Sequence, residues 1–360
     1  MTLDEKINLI RQVGEEITTK QELESLIKSK QPMIAYDGFE PSGQIHIAQG
    51  LLRAININKM TSAGAKFKML VADWHAWANH KMGGDLEKIQ ITGKYFIEVW
   101  KACGMDLTNV EFVWASDLVK QEGYWETVMQ IAITKNLPRI LRTVQIMGRE
   151  ETDTLSASQI LYPLMQTADI FMLKANITQL GMDQRKVNML AREVAKDLGY
   201  IKPIVISHHM LLGLLPPTEK IDNENAVDKT IRLKMSKSKP ESAIFMTDTK
   251  EDIERKIKNA WCKEGEVSEN PILEYCKHIV FGKVDTFKIE RKPEHGGDLE
   301  YKDYQKLEND FANKELHPVD LKIALSKYIN EFLEPVRKYF EENQDAKKLK
   351  EQVQSFTVTR

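Results

Sequence analysis

The spacing of apolar and polar positions changes several times along the chain, and each change marks an element. Ile7, Leu9, Ile10 and Val13, then Leu23, Leu26 and Ile27, recur among charged residues at helical spacing. That pattern predicts two amphipathic helices within residues 1–30. Thr19 and Glu22 stand at the spacing of a capping box for the second. From residue 31 short apolar runs alternate with helical stretches. Met33 to Tyr36, then 66–73, 111–115 and 203–207, read as strands, and 86–103 reads as a helix. Strands alternating with helices predict an α/β protein with a doubly wound parallel sheet. Ligands of such a sheet sit beyond strand C-terminal ends, at the switch point. Tyr36, Asp73 and His208 fall just past such ends.

Two stretches depart from this rhythm. Residues 117–180 place Trp125, Val128, Ile131, Ile133, Leu137, Ile140, Leu141, Val144 and Ile146 mostly at helical positions. A helical insertion or an ordinary helical cover both fit. Residues 216–229 are polar and led by Pro216-Pro217, which predicts a loop. After Pro240 the apolar spacing is helical over 252–261, 272–281, 304–311 and 319–339, so an α-helical second domain is expected from about 241.

The turn after the first strand, Tyr36-Asp37-Gly38-Phe39-Glu40-Pro41-Ser42-Gly43-Gln44-Ile45-His46-Ile47-Ala48-Gln49-Gly50, carries the first chemistry. Gly38, Pro41, Ser42 and Gly43 are turn residues. Ile45, Ile47, Leu51, Leu52 and Ile55 offer an apolar face to a following helix. A Gly-rich turn lets backbone approach a phosphate, and a helix N-terminus carries partial positive charge toward it. His46 is expected in the first helical turn, with a ring N–H in reach of a phosphoryl oxygen. On these residues alone, a surface loop with an incidental histidine remains open.

Composition narrows the class. The 360 residues can bury a sizeable core and suit two domains. A net charge of −2 means that any nucleic-acid contact must come from local patches. Cys103, Cys262 and Cys276 form no CxxC pair and suggest reduced thiols in a cytosol, with no protein-bound metal. Early acids without an apolar core predict no secretory signal, and no apolar run approaches the ~20 residues of a membrane span.

Downstream stands Lys234-Met235-Ser236-Lys237-Ser238, which is KMSKS letter for letter. With His46-Ile47-Ala48-Gln49, a variant of HIGH, it resembles the paired signatures of class I aminoacyl-tRNA synthetases. Between them lie Tyr162-Pro163-Leu164-Met165-Gln166-Thr167-Ala168-Asp169 and Gly181-Met182-Asp183-Gln184-Arg185-Lys186. That set resembles the tyrosyl-tRNA synthetases of the archaeal and eukaryotic cytosolic type, over nearly the whole chain. The resemblance implies a Rossmann-like catalytic domain over 1–240. It would comprise a helical segment 1–30, an insertion at about 117–180 and a KMSKS loop at 216–240. A helical anticodon-binding domain would follow over 241–360.

It also implies roles. His46, Lys234 and Lys237 would stabilise charge growing on phosphate oxygens. Gly38, Gly43, His46, Gln49, Gly50, Asp183 and Lys237 would meet ATP, which comes with Mg²⁺. Asp183 would take the ribose hydroxyls. Tyr36, Tyr162, Gln166, Asp169 and Gln184 would surround L-tyrosine, with Asp169 accepting from the phenol beside Tyr36. His75 could line the same pocket, or be a packed histidine. Arg185, Lys186, His295 and Asp320 would face tRNA(Tyr). Arg139, Arg142 and Arg149 are another basic face, whose more common meaning is a solvated one. Asp320 reads equally as a first-turn acid of the final helix. The insertion would form a homodimer. Gln49, in place of the second His of HIGH, carries no charge, and His295 stands where relatives often place an aromatic. The alternatives are a tryptophanyl enzyme, a non-catalytic RNA-binding paralogue and a small-molecule nucleotidyltransferase. A phenol both donates and accepts while an indole N–H only donates, so the pair Tyr36 and Asp169 favours tyrosine over tryptophan.

Overall fold

The computed structural model describes every residue except 150–152, 218–228, 230, 231, 238 and 357–360, together with the side chain of His295. Most of the expected loop 216–229, and Ser238 of KMSKS, therefore lie outside the described residues. The strands are β1 Glu16–Thr18, β2 Met33–Phe39, β3 Ala65–Val71, β4 Val110–Trp114, β5 Ile177–Thr178 and β6 Ile204–Ser207. They form one sheet in the order β1-β6-β5-β2-β3-β4. All pairs are parallel except β1 with β6. The chain runs outward from β2 to β4, then returns to the other side of β2 with β5. The switch point is thus between β2 and β5, where a ligand crevice is expected.

Three expectations are corrected. β1 adds an antiparallel edge between the two N-terminal helices, which are Leu3–Arg11 and Lys20–Ser29. The helical stretch 117–180 ends in β5, whose register joins Ala35 to Ile177 and Ile177 to Ile204. Two residues are too few to show a strand period. The C-terminal part also holds an antiparallel pair, β7 Phe287–Ile289 with β8 Leu299–Tyr301. Otherwise that part is helical, over Lys250–Asn259, Pro271–Tyr275, Tyr304–Ala312, Pro318–Glu342 and Gln344–Ser355.

The capping boxes explain where several helices start. Thr19 and Glu22 exchange side-chain and backbone bonds as expected, and Ser156 and Gln159 do the same for the helix Ala157–Met172. One apolar cluster runs from Ile45, Leu51 and Ile57 through Tyr95 and Trp100 to Met246, Ile253, Leu325 and Phe340, so the core is continuous across position 240. A second cluster, with Leu70, Ile131, Leu164, Ile170 and Leu190, lies behind the crevice.

Candidate active site

β2 runs on through Asp37, Gly38 and Phe39, and the next helix starts at Leu51, with Gly50 as its N-cap. His46 is therefore not in the helical first turn. It pairs by backbone with Phe245, and its carbonyl accepts from the N–H groups of Gln49 and Gly50. The turn places His46 beside the crevice without helical geometry. Gly50 packs against Met246, whose side chain a Cβ there would strike. Gly43 takes φ +119°, which the turn requires of a glycine.

A cleft of about 730 Å³ opens at the C-terminal ends of β2 and β5. Of the residues singled out by sequence, Tyr36, Gly38, His46, Gln49, His75, Arg149, Tyr162, Gln166, Asp169, Asp183, Gln184, His208, Lys234 and Lys237 line it. Gly43, Gly50, Arg185, Lys186 and Asp320 do not line it. Tyr162, Gln166 and Asp169 come from one helix at i, i+4 and i+7, a spacing that puts them on one face. Met182–Gln184, a short helical turn after β5, supplies Asp183 and Gln184.

The inner end of the cleft is buried and polar. Asp169 is fully buried. Its Oδ1 accepts from the Tyr124 hydroxyl at 2.8 Å. Its Oδ2 lies 2.9 Å from His75 Nε2, yet neither atom makes an aligned hydrogen bond among the described residues. Burial, with the charges of Asp169 and Asp37, raises the Tyr36 phenol well above its ordinary value, so it stays a donor. Burial opposes charge on His75, but Asp169 beside it raises its pKa. Burial and Glu40 hold the Tyr162 phenol protonated. Gln166 donates to Gln184 at 3.1 Å, and Gln184 donates to the Ile146 carbonyl at 3.0 Å.

The outer end is cationic. Burial, with Lys237 and Lys234 near, pushes the His46 pKa well down, so the ring is neutral and keeps one N–H. Its Nδ1 has no partner among the described residues. Lys237 stands 4.6 Å over the Phe96 ring and 3.5 Å from Ser42 Oγ. Burial and the charge of Lys81 push its ammonium down to about 7, Glu40 opposing. Lys234 is bonded to Asp183 at 2.6 Å. Such an arrangement can receive a polyanion at one end and a hydroxylated ring at the other.

Sequence reasoning missed the floor. Arg53 is fully buried, 3.0 Å from the Asp37 carboxylate, with His208 Nδ1 at 3.2 Å and Gln179 as further partners. Burial raises the Asp37 pKa to about 7 despite Arg53. The signal was present, since Arg53 interrupts an apolar run from Leu51 to Ile57. Glu40 and Tyr124 were also missed, and Arg149, expected only in a basic face, lines the cleft. For Tyr124 no local signal exists, because its partner lies 45 positions away. Three of the basic residues placed outside the cleft are engaged: Arg185 with Glu16 at 2.9 Å, Lys186 with Gln145, and Arg139 with Glu193 at 2.8 Å.

Residues 28–334 match the family of tRNA synthetases class I (W and Y). The chain belongs to that family. It is 50% identical over 361 residues to the cytoplasmic tyrosine–tRNA ligase 1 of Arabidopsis thaliana, covering 99% of this chain and 90% of the relative. A tyrosine–tRNA ligase of Thermococcus sibiricus is 42% identical over 372 residues, covering 98% of this chain and 99% of the relative. Among solved structures, the tyrosyl-tRNA synthetase of Pyrococcus horikoshii complexed with L-tyrosine superimposes with a TM-score of 0.91 at 38% identity. That match covers 98% of this chain and all of the other. For a synthetase of this family, the two signatures bracket one cleft as the letters imply.

Proposed function

We propose that this chain is a tyrosine–tRNA ligase, which activates L-tyrosine with ATP and transfers it to tRNA(Tyr). One observation carries the choice of amino acid. A buried carboxylate, Asp169, keeps an oxygen without an aligned partner beside the Tyr36 phenol, in the cleft that also holds His46, Lys234 and Lys237. A phenol hydroxyl is both donor and acceptor and satisfies both groups. Tyr162, Gln166 and Gln184 would meet the ammonium and carboxylate.

In the first step the tyrosine carboxylate attacks the α-phosphorus of ATP and pyrophosphate leaves. Neutral His46 donates its N–H to a phosphoryl oxygen. Lys237 and Lys234 neutralise the leaving pyrophosphate, and the polyanion restores the charge that burial removes from Lys237. Lys234 gives up Asp183, which then takes the ribose hydroxyls. Gly38, Gly43, Gln49 and Gly50 shape the ATP side, Gly50 through the packing of the turn. Mg²⁺ would come with the polyphosphate. Among the described residues no three His, Cys, Asp or Glu side chains gather to hold a metal of the protein's own. In the second step the terminal tRNA hydroxyl attacks the aminoacyl carbonyl, the ester forms as the bond to the adenylate phosphate breaks, and AMP leaves.

The 1–240 and 241–360 division would separate catalysis from anticodon reading. Asp320 stands in the first turn of the helix Pro318–Glu342, where His317 rather than Asp320 supplies the cap, which supports a role for its carboxylate toward a base. His295 lies in the connection between β7 and β8. Arg185 and Lys186 would exchange their present partners for the acceptor end. Trp125, Met129 and Ile133 expose one face of the helix Tyr124–Thr134 at 45%, 61% and 78%, which supports a homodimer through it. No described helix is long and apolar enough to cross a membrane. The plant relative named as cytoplasmic supports work in the cytoplasm. ATP–pyrophosphate exchange with each of the twenty amino acids tests the reading. Exchange should depend on tyrosine, and exchange driven by tryptophan, or by none, would refute it.

A further inference from the structure

We propose that Tyr124 is a positioning residue for substrate selection: its hydroxyl fixes the Asp169 carboxylate so that a single oxygen faces the substrate's phenol. The proposal rests on the reading of this cleft as a tyrosine site, and adds a residue that does not touch the substrate.

The geometry has three parts. First, Tyr124 is fully buried and opens the helix Tyr124–Thr134, directly after Gly123 at φ +81°. That left-handed residue turns the chain so that the ring points inward while its neighbour Trp125 stays half exposed. The ring packs edge-on to Trp125, with centroids 5.5 Å apart, in the apolar cluster of Val128, Ile131, Leu164 and Ile170. It is held by shape, so its hydroxyl has a fixed place.

Second, that hydroxyl reaches the helix bearing Asp169 at two points. It donates to Asp169 Oδ1 at 2.8 Å, and the Met165 carbonyl lies one turn earlier at 3.3 Å. Burial and the charge of Asp169 hold the phenol protonated, so it remains a donor across the neutral range.

Third, the other carboxylate oxygen, Oδ2, belongs to a residue lining the cleft and makes no aligned hydrogen bond among the described residues, with His75 Nε2 2.9 Å away. The terminal torsion of an aspartate is broad and two-fold, so packing alone does not fix it. A short bond to an ionised acceptor does. Without the Tyr124 hydroxyl the carboxylate would turn, or leave Oδ1 dry and unpaired. The loss falls on a substrate that uses Oδ2, and spares one that lacks a hydroxyl.

The test is ATP–pyrophosphate exchange by the full-length protein with tyrosine and with phenylalanine, for wild type, Tyr124→Phe and Tyr124→His. Tyr124→Phe should raise the KM for tyrosine about 10- to 100-fold, the worth of a bond to a charged group. The KM for ATP should hold, and kcat/KM for phenylalanine should change far less, so discrimination falls with the tyrosine KM. Tyr124→His keeps a ring N–H and should retain more discrimination than Tyr124→Phe; it also stands in if the Phe variant does not fold. Equal losses for both substrates would reduce Tyr124 to a packing residue, and an unchanged tyrosine KM would remove its role. Wild-type protein without tyrosine-dependent exchange would instead overturn the underlying reading.

Discussion

His46 and Lys237 show how burial prepares a site for a charged ligand. Both are held with less charge than they would carry in water, because burial disfavours cations and each stands near other cations. A bound polyphosphate reverses that balance, so their contribution rises as negative charge builds on the phosphates. Single-turnover formation of the adenylate should slow by about 10²-fold in His46→Ala and in Lys237→Ala, roughly 3 kcal/mol each. Tyrosine affinity should stay within about twofold. Rapid-quench measurement at saturating tyrosine checks this, and unchanged rates in both variants would remove them from the chemistry. At this scale the sequence was legible wherever chemistry came as a motif. Asp169, Gln166 and Tyr162 were named through a resemblance alone, and the structure puts them on one face of a helix. Arg53 and Tyr124 were not legible, because their partners Gln179 and Asp169 meet them only through the fold.

Between residues and the whole stands the segment after β6, which ties three elements together. The Leu212 N–H donates to Glu274 at 2.9 Å, Tyr275 donates to the Leu212 carbonyl at 2.8 Å, and Leu212 pairs by backbone with Lys234 of KMSKS. His209 reinforces this from Glu15 at 3.1 Å and Glu274 at 3.0 Å, stacked on His278. Burial opposes charge on His209, but the hydrogen bond of its Nδ1 with Glu15 and the Glu274 carboxylate beside Nε2 raise it to about 9. Its folded pKa exceeds the unfolded value, so its stabilisation is complete below about 6.5 and is lost as pH rises through 9. Thermal midpoints should therefore fall from pH 6.5 to 9, by an amount worth about 1–3 kcal/mol. His209→Gln should flatten that part of the curve. An identical slope in the variant would mean that His209 does not titrate with folding. Element boundaries were the least legible feature. Ile45 and Ile47 extend the apolar pattern of the helix that starts at Leu51, and so drew His46 into it. β5 has only Ile177 and Thr178, and pairing on both sides makes it a strand, not its own sequence.

For the whole molecule, the parallel sheet and its switch point place both signatures on one cleft, and the helical insertion leaves an apolar face outside. Met129 and Ile133 are too exposed to serve this chain's own core, and Trp125, though packed on Tyr124, is still half exposed. Ile133→Glu should leave the monomer fold within about 0.5 kcal/mol, as exposed substitutions do, and convert a dimer to a monomer in sedimentation at micromolar concentration. Wild type that already sediments as a monomer would refute the interface. The central claim is that the inner end of the cleft selects a phenol through Asp169 and Tyr36. It is tested most directly by the ratio of kcat/KM for tyrosine to that for phenylalanine, in wild type and in Asp169→Ala. Tyrosyl enzymes are known to reach about 10⁵ without editing, a value taken from them rather than derived from this geometry. The account predicts a wild-type ratio of that order and a collapse by at least about 10² in Asp169→Ala, because phenylalanine would otherwise leave the carboxylate unpaired in a buried site. A variant that keeps the wild-type ratio would contradict it.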